Sequence, residues 1–216
     1  MAPIIEVSVD QKKAMDVLGM KYNHRRDLET TSVNYDLDKH FIKLPSGIYT
    51  ARERIIFNKN WSQQNESLKK SGLGMQIPLE FVELLKYAKE NDEELYNEIT
   101  QVRNPWRAEN LDAYFERRKN GMYILTHNKT KAEKLDEDTL MVDRTPGISI
   151  ESWLKNPTSQ GLPRRDVEAG DLFYWYPRNG AVARFVAYVG RADLDCSRWD
   201  PFNRCDNLGV RAVKRE

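Results

Sequence analysis

Cysteine is nearly missing from this chain, with only Cys196 and Cys205 in 216 residues. Two thiols cannot build a multi-bridge scaffold, so the fold must rest on an apolar core, and the redox compartment stays open. Their spacing is not the C-x-x-C of thiol redox motifs, and no histidine lies nearby in sequence to complete a metal set. Histidine is scarce too. His24, His40 and His127 are scattered through polar or charged surroundings, each reads as a solvated side chain, and no His-based chemistry is expected. No run approaches the ~18 apolar residues that cross a bilayer, and no basic stretch followed by an apolar one opens the sequence. Neither a membrane span nor a Sec-type signal is expected, which leaves localisation open. An excess of one charge is also lacking, since 34 Lys and Arg against 33 Asp and Glu leave a net +1. Without a bulk positive field, nucleic acid is not an expected partner. Gly-rich phosphate loops, H-E-x-x-H, G-x-S-x-G and the EF-hand loop do not occur, so nucleotide and zinc hydrolysis lose their sequence evidence.

What is present suits one large domain, or one domain with an N-terminal extension. A 40% apolar share with ten Tyr, seven Phe and five Trp can fill a sizeable core, and 31% charged residues give an extensive polar surface. Asn-x-Ser/Thr triplets at Asn60, Asn65 and Asn128 are read as chance matches in polar loops. Alternation of Ile5, Val7 and Val9 predicts a short strand, followed by a short helix from Lys12 to Leu18. Strand pieces are expected at Gly47 to Tyr49 and Arg54 to Phe57, then a polar loop from Asn58 to Gly74 that Trp61 pins down. The strongest helix starts at Pro78, where Phe81, Leu84, Leu85 and Ala88 recur at helical spacing. A second spans Asp92 to Thr100, and Tyr114 and Phe115 sit in a short helical or turn segment. Met122 to Leu125 reads as a strand, and Ile148 to Leu154 as one or two helical turns. Strands then follow at Leu172 to Tyr176, Val182 to Ala187, Ala192 to Cys196 and Leu208 to Val213. The expected class is α+β, with short strands and turns concentrated in the C-terminal third.

In Ala192 to Ser197, small or apolar residues alternate with polar ones. A strand would bury Ala192, Leu194 and Cys196 and turn Asp193, Asp195 and Ser197 to solvent. Beyond it, Arg198, Phe202, Arg204, Cys205 and Asp206 form an unpatterned mixture that reads as a surface not chosen for folding.

These residues carry a resemblance. Leu208-Gly209-Val210-Arg211-Ala212-Val213, behind Val182-Ala183-Arg184-Phe185, resembles the end of a variable protein of a diversity-generating retroelement, a family with a C-type lectin fold of the formylglycine-generating-enzyme type. Met75 to Ala88 is similar to a helix of that fold, and Gly170 to Trp175 resembles the strand entering its variable half. The likeness covers roughly residues 70 to 216. It implies a lectin-like domain over 71–216 whose segment from about 182 to 216 binds ligand, and does not explain residues 1–70, which read from their own pattern as an N-terminal strand and loop region that could belong to the same domain.

The resemblance further implies that adenine-templated mutagenesis diversifies scattered codons while the residues between them hold the fold. Scaffold positions would then be Ala187, Ala192, Leu194, Cys196, Trp199, Pro201 and Leu208 to Val213. Display positions would be Val186, Tyr188, Val189, Arg191, Asp193, Asp195, Ser197, Arg198, Phe202, Arg204 and Cys205. The implied function is noncatalytic binding of a macromolecular ligand, a protein by this reading, with no catalytic residue, metal or cofactor. One alternative is a formylglycine-generating-type oxidase using Cys196 and Cys205 as a copper-binding pair. Another is a structural protein of a virion or cell surface.

Overall fold

Strands and helices are interleaved along the computed structural model, which describes residues 37–215 and of Leu37 and Asp38 the backbone alone. The strand expected at Ile5 to Val9, the helix at Lys12 to Leu18 and His24 lie outside these residues. The order is α1 (Leu37–His40), β1 (Phe41–Lys43), β2 (Tyr49–Ala51), α2 (Trp61–Lys69), β3 (Gly74–Met75), α3 (Pro78–Asn91), α4 (Glu93–Thr100), β4 (Arg107–Arg118), β5 (Gly121–Leu125) and β6 (Glu133–Lys134). There follow β7 (Arg144–Ile148), α5 (Ile150–Lys155), β8 (Leu172–Trp175), β9 (Val182–Ala187), β10 (Ala192–Asp195), β11 (Leu208–Val210) and β12 (Ala212–Lys214). The class is α+β. Strand is nevertheless not confined to the C-terminal third, because the twelve-residue β4 runs through mid-chain.

Two expectations fail for identifiable reasons. Residues 58–74 contain α2, started by a capping box in which Gln63 N–H donates to Asn60 Oδ1 at 2.9 Å and Asn60 N–H donates to Gln63 Oε1 at 3.2 Å. Its buried side is largely polar, with Gln64, Asn65 and Ser67 beside Trp61 and Leu68, so an apolar stripe is faint. Tyr114 and Phe115 lie in β4 instead of a helix or turn. The first half of that strand buries Arg107, Glu109, Asn110 and Asp112, and these polar residues hide its alternation.

The larger sheet runs β6-β5-β4-β9-β10-β8-β7, with β11 parallel to the start of β4. The helix α3 starts at Pro78, and Ile77 N–H donates to Glu80 Oε2 at 2.9 Å. Its Phe81, Leu84, Leu85 and Ala88 belong to a core with Leu172, Tyr174, Phe185 and Leu194 of the sheet, with the Phe81 and Phe185 rings 5.1 Å apart. The smaller sheet has the order β1-β2-β12-β3. Its β2–β12 pairing builds a described part of the first 70 residues into the same sheet as the chain's last strand.

Leu208 to Val213 is therefore two strands, one in each sheet, separated by Arg211. Arg211 is 1% exposed, with Nε 2.9 Å from Glu109 Oε2 and Nη2 2.5 Å from Glu98 Oε2. Arg107 reaches the same two acids at 3.3 and 3.2 Å. Burial pushes the Glu98 carboxyl up, but Arg107, Arg211 and Arg54 outweigh it and hold it below its ordinary value. Gly209 is required by a close approach, since a Cβ there would meet the Phe57 ring at 2.8 Å.

Candidate functional site

Register alone assembles a second face on the larger sheet. Asp193 pairs with Phe173 and Val186, Asp195 with Trp175 and Arg184, and Arg184 with Asn110, so these side chains share the side opposite α3. Asn110 and Arg184 fasten this face to α2. Arg184 Nε donates to Asn110 Oδ1 at 2.5 Å, Asn110 Nδ2 to Gln64 Oε1 at 2.7 Å, and Gln64 Nε2 to Ile56 O at 3.0 Å. Burial lowers the Arg184 pKa to about 10, which leaves the guanidinium charged at neutral pH.

Arginines and aromatic rings alternate across the face. Arg198 lies 4.3 Å from the Trp175 ring centre, Arg191 lies 5.1 Å from Phe173 and 5.3 Å from Tyr188, and Arg184 lies 4.8 Å from Trp199. The Trp106 ring stacks on Tyr188 with 5.9 Å between centres. Beneath the guanidinium groups sit two carboxylates. Asp195 accepts from Ser197 N–H at 2.9 Å, Ser197 Oγ at 3.0 Å, Arg198 N–H at 3.3 Å and Arg198 Nε at 2.9 Å. Asp193 has Arg191 Nε at 3.2 Å and Arg198 Nη2 at 3.6 Å, but neither of its oxygens is hydrogen-bonded among the described residues. Burial pushes its carboxyl up, opposed by the two arginines.

The outward orientation expected for Asp193 and Asp195 is thus corrected. They do point away from α3, but both side chains are 0% exposed. The segment 196–207 folds back across that side and brings Arg198 over them. Val186, also expected on the surface, is 0% exposed in a small cluster with Ala108 and Leu208. The remaining expected positions reach the surface. Val189 and Phe202 are 70% and 75% exposed, Arg198 and Arg204 are exposed, and Tyr188, Arg191, Ser197 and Cys205 are half-buried. Among the expected scaffold residues, Ala187, Leu194, Cys196 and Leu208 to Val213 are buried, while Ala192, Trp199 and Pro201 are half-buried.

Sequence reasoning missed Trp106, Phe173 and Trp175. The signal was there for the last two, which alternate with buried Leu172 and Tyr174 on a strand that was expected.

The segment over this face is tied down through its main chain. Trp61 N–H donates to Pro201 O, Val182 N–H to Trp199 O, Asn58 N–H to Cys205 O and Ala108 N–H to Asn207 O, all at 3.0 to 3.2 Å. Both cysteines are free thiols. Cys196 is enclosed in the α3 core, where burial pushes its thiol well up, while Cys205 packs at the edge of the Val186 cluster. No cluster of three or more metal-capable side chains occurs among the described residues, and no described helix is long and apolar enough to cross a membrane. Neither a protein-family model, a curated protein nor a solved structure matches the chain.

Proposed function

We propose that this protein binds a macromolecular ligand, a protein, through the arginine–aromatic face, and that it is a diversified, noncatalytic variable protein on a C-type lectin-like scaffold of the formylglycine-generating-enzyme type. The observation that carries the reading is the division of labour within residues 196–207. Main-chain hydrogen bonds hold the segment, so its course does not depend on the exposed Phe202 and Arg204 side chains. Substitution at such positions ordinarily changes stability by about 0.5 kcal/mol or less. The display set under this reading is Tyr188, Val189, Arg191, Ser197, Arg198, Phe202, Arg204 and Cys205, next to Trp106, Phe173 and Trp175. Tyr, Trp and Arg are the residue types that anchor protein interfaces. The oxidase alternative needs two thiols acting together, whereas Cys196 and Cys205 pack in different clusters.

The test is deep sequencing of the gene's 3′ end across a source population. Codon changes should concentrate at positions 188, 189, 191, 197, 198, 202, 204 and 205 and spare Leu194, Cys196 and Leu208 to Val210. Uniform codons, or changes spread equally into those buried positions, would overturn the proposal.

A further inference from the structure

A cleft of about 210 Å³ lies among α2, β3, the end of β12 and the segment after β5, and none of its lining residues belongs to the arginine–aromatic face. His127, read from sequence as solvated, stands in its wall. His127 Nδ1 is 2.7 Å from Asp112 Oδ1, its backbone N–H donates to both Asp112 oxygens at 3.0 Å, and its ring lies 4.0 Å from the Trp61 ring. A carboxylate only accepts, so the Nδ1 contact places a proton there and leaves Nε2 as the ring nitrogen without a described partner. Asp112 is 1% exposed and its acceptors are taken up by His127.

The other polar groups in the wall are mostly unused donors. Lys69 has no ion pair among the described residues. Arg215 spends Nε and Nη2 on Glu80 and on Met75 O, at 2.7 to 2.8 Å, and its Nη1 lies where a Cβ on Gly74 would come within 2.7 Å. Glycine at 74 thus keeps room for that nitrogen. Asn128 Oδ1 accepts from Thr126 Oγ1 at 2.5 Å, and its amide nitrogen donates to no described residue. Asn65 is only 4% exposed, lines the cleft, and its side chain has no hydrogen-bond partner among the described residues.

We propose that this cleft binds a phosphate-type oxyanion. Lys69, Arg215 Nη1, Asn65 and Asn128 surround one small space with N–H donors, His127 stands in its wall, and the cleft's buried acid is already paired. Charge-assisted hydrogen bonds of this kind favour an acceptor with several lone pairs on each oxygen. The volume is below the 300–1,000 Å³ typical of drug-sized pockets, which fits a phosphoryl group with little attached to it.

Two ligands share that chemistry, inorganic phosphate and a small phosphate monoester. The full-length ¹⁵N-labelled protein is titrated with each, using glycerol 2-phosphate as the monoester, at an ionic strength fixed with sodium chloride. Saturable NMR shifts at Lys69, His127 and Asn128 are expected with inorganic phosphate, and the same response to glycerol 2-phosphate extends the site to phosphoryl groups. K69Q, on an exposed helix surface, should keep the folded spectrum and weaken binding about tenfold. G74A, which crowds Arg215 Nη1, should also weaken it. Shifts that stay linear for both ligands, or equal affinity in K69Q and wild type, would overturn the proposal.

Discussion

Asp195 accepts four hydrogen bonds from Ser197 and Arg198, the two residues that turn the chain back over the sheet. Asp193, two residues earlier, lies under the same turn but takes no hydrogen bond from it; its neighbours are Arg191 and Arg198, both partly in solvent, the Asp195 carboxylate and the Trp175 side chain. Leu194 between them is part of the α3 core. The three neighbours should therefore lose stability in the order L194A, D195A, D193A when measured by urea unfolding. L194A should cost about 2–5 kcal/mol for the cavity, and D195A about 1–2 kcal/mol for the lost hydrogen bonds. A D193A cost equal to that of L194A would contradict this order. Polarity alternation assigns Asp193 and Asp195 to one side of the strand correctly and to solvent wrongly. It cannot register a later segment that returns across the strand, because that contact is set by residues 198–201 and not by the strand itself.

Among the elements, α2 is the clearest case of a structure signalled by its cap more than by its face. Asn60 and Gln63 satisfy each other's backbone N–H groups at its first turn. N60A should cost about 1 kcal/mol in the same unfolding measurement, and Q63A less; no loss in N60A would mean that packing of Trp61 alone fixes the start of the helix. By contrast, α3 and β9 were legible from spacing alone: an apolar stripe behind Pro78, and a six-residue run bounded by Gly180 and Gly190, leave little choice. The strand β4 was illegible because its buried charges are matched by partners outside the strand, Arg107 by Glu98, Glu109 by Arg211 and Asp112 by His127. The candidate face divides in the same manner. Its exposed loop residues were readable from their mixture of Arg, Phe and Cys, whereas Trp106 joins it only through its stacking on Tyr188.

At the scale of the whole molecule, Glu98 of α4 meets Arg107 of β4 and Arg211 between the two sheets. Its carboxyl lies below the ordinary value of 4.5 in the folded protein, so the folded state holds the ionised form more strongly than the unfolded chain. That stabilisation is fully present above 4.5 and is lost as pH falls through the lower folded value. Unfolding free energies of wild type and E98Q, compared between about pH 3 and about pH 6, should diverge as pH rises. A gap that is constant with pH would show that Glu98 ionisation does not contribute.

The position of β11 and β12 along the chain also has a consequence for synthesis. Both sheets are completed by residues 208–214, which leave the ribosome after the segment that forms the arginine–aromatic face. A product ended early by a stop codon or frameshift within residues 186–205 lacks β11 and β12 in their proper sequence, and with them Arg211. Its β4 edge and the gap between β2 and β3 stay open, and unpaired strand edges are what proteolysis and aggregation act on. Closure by β11 and β12 therefore makes a finished fold depend on reading residues 186–205 in frame.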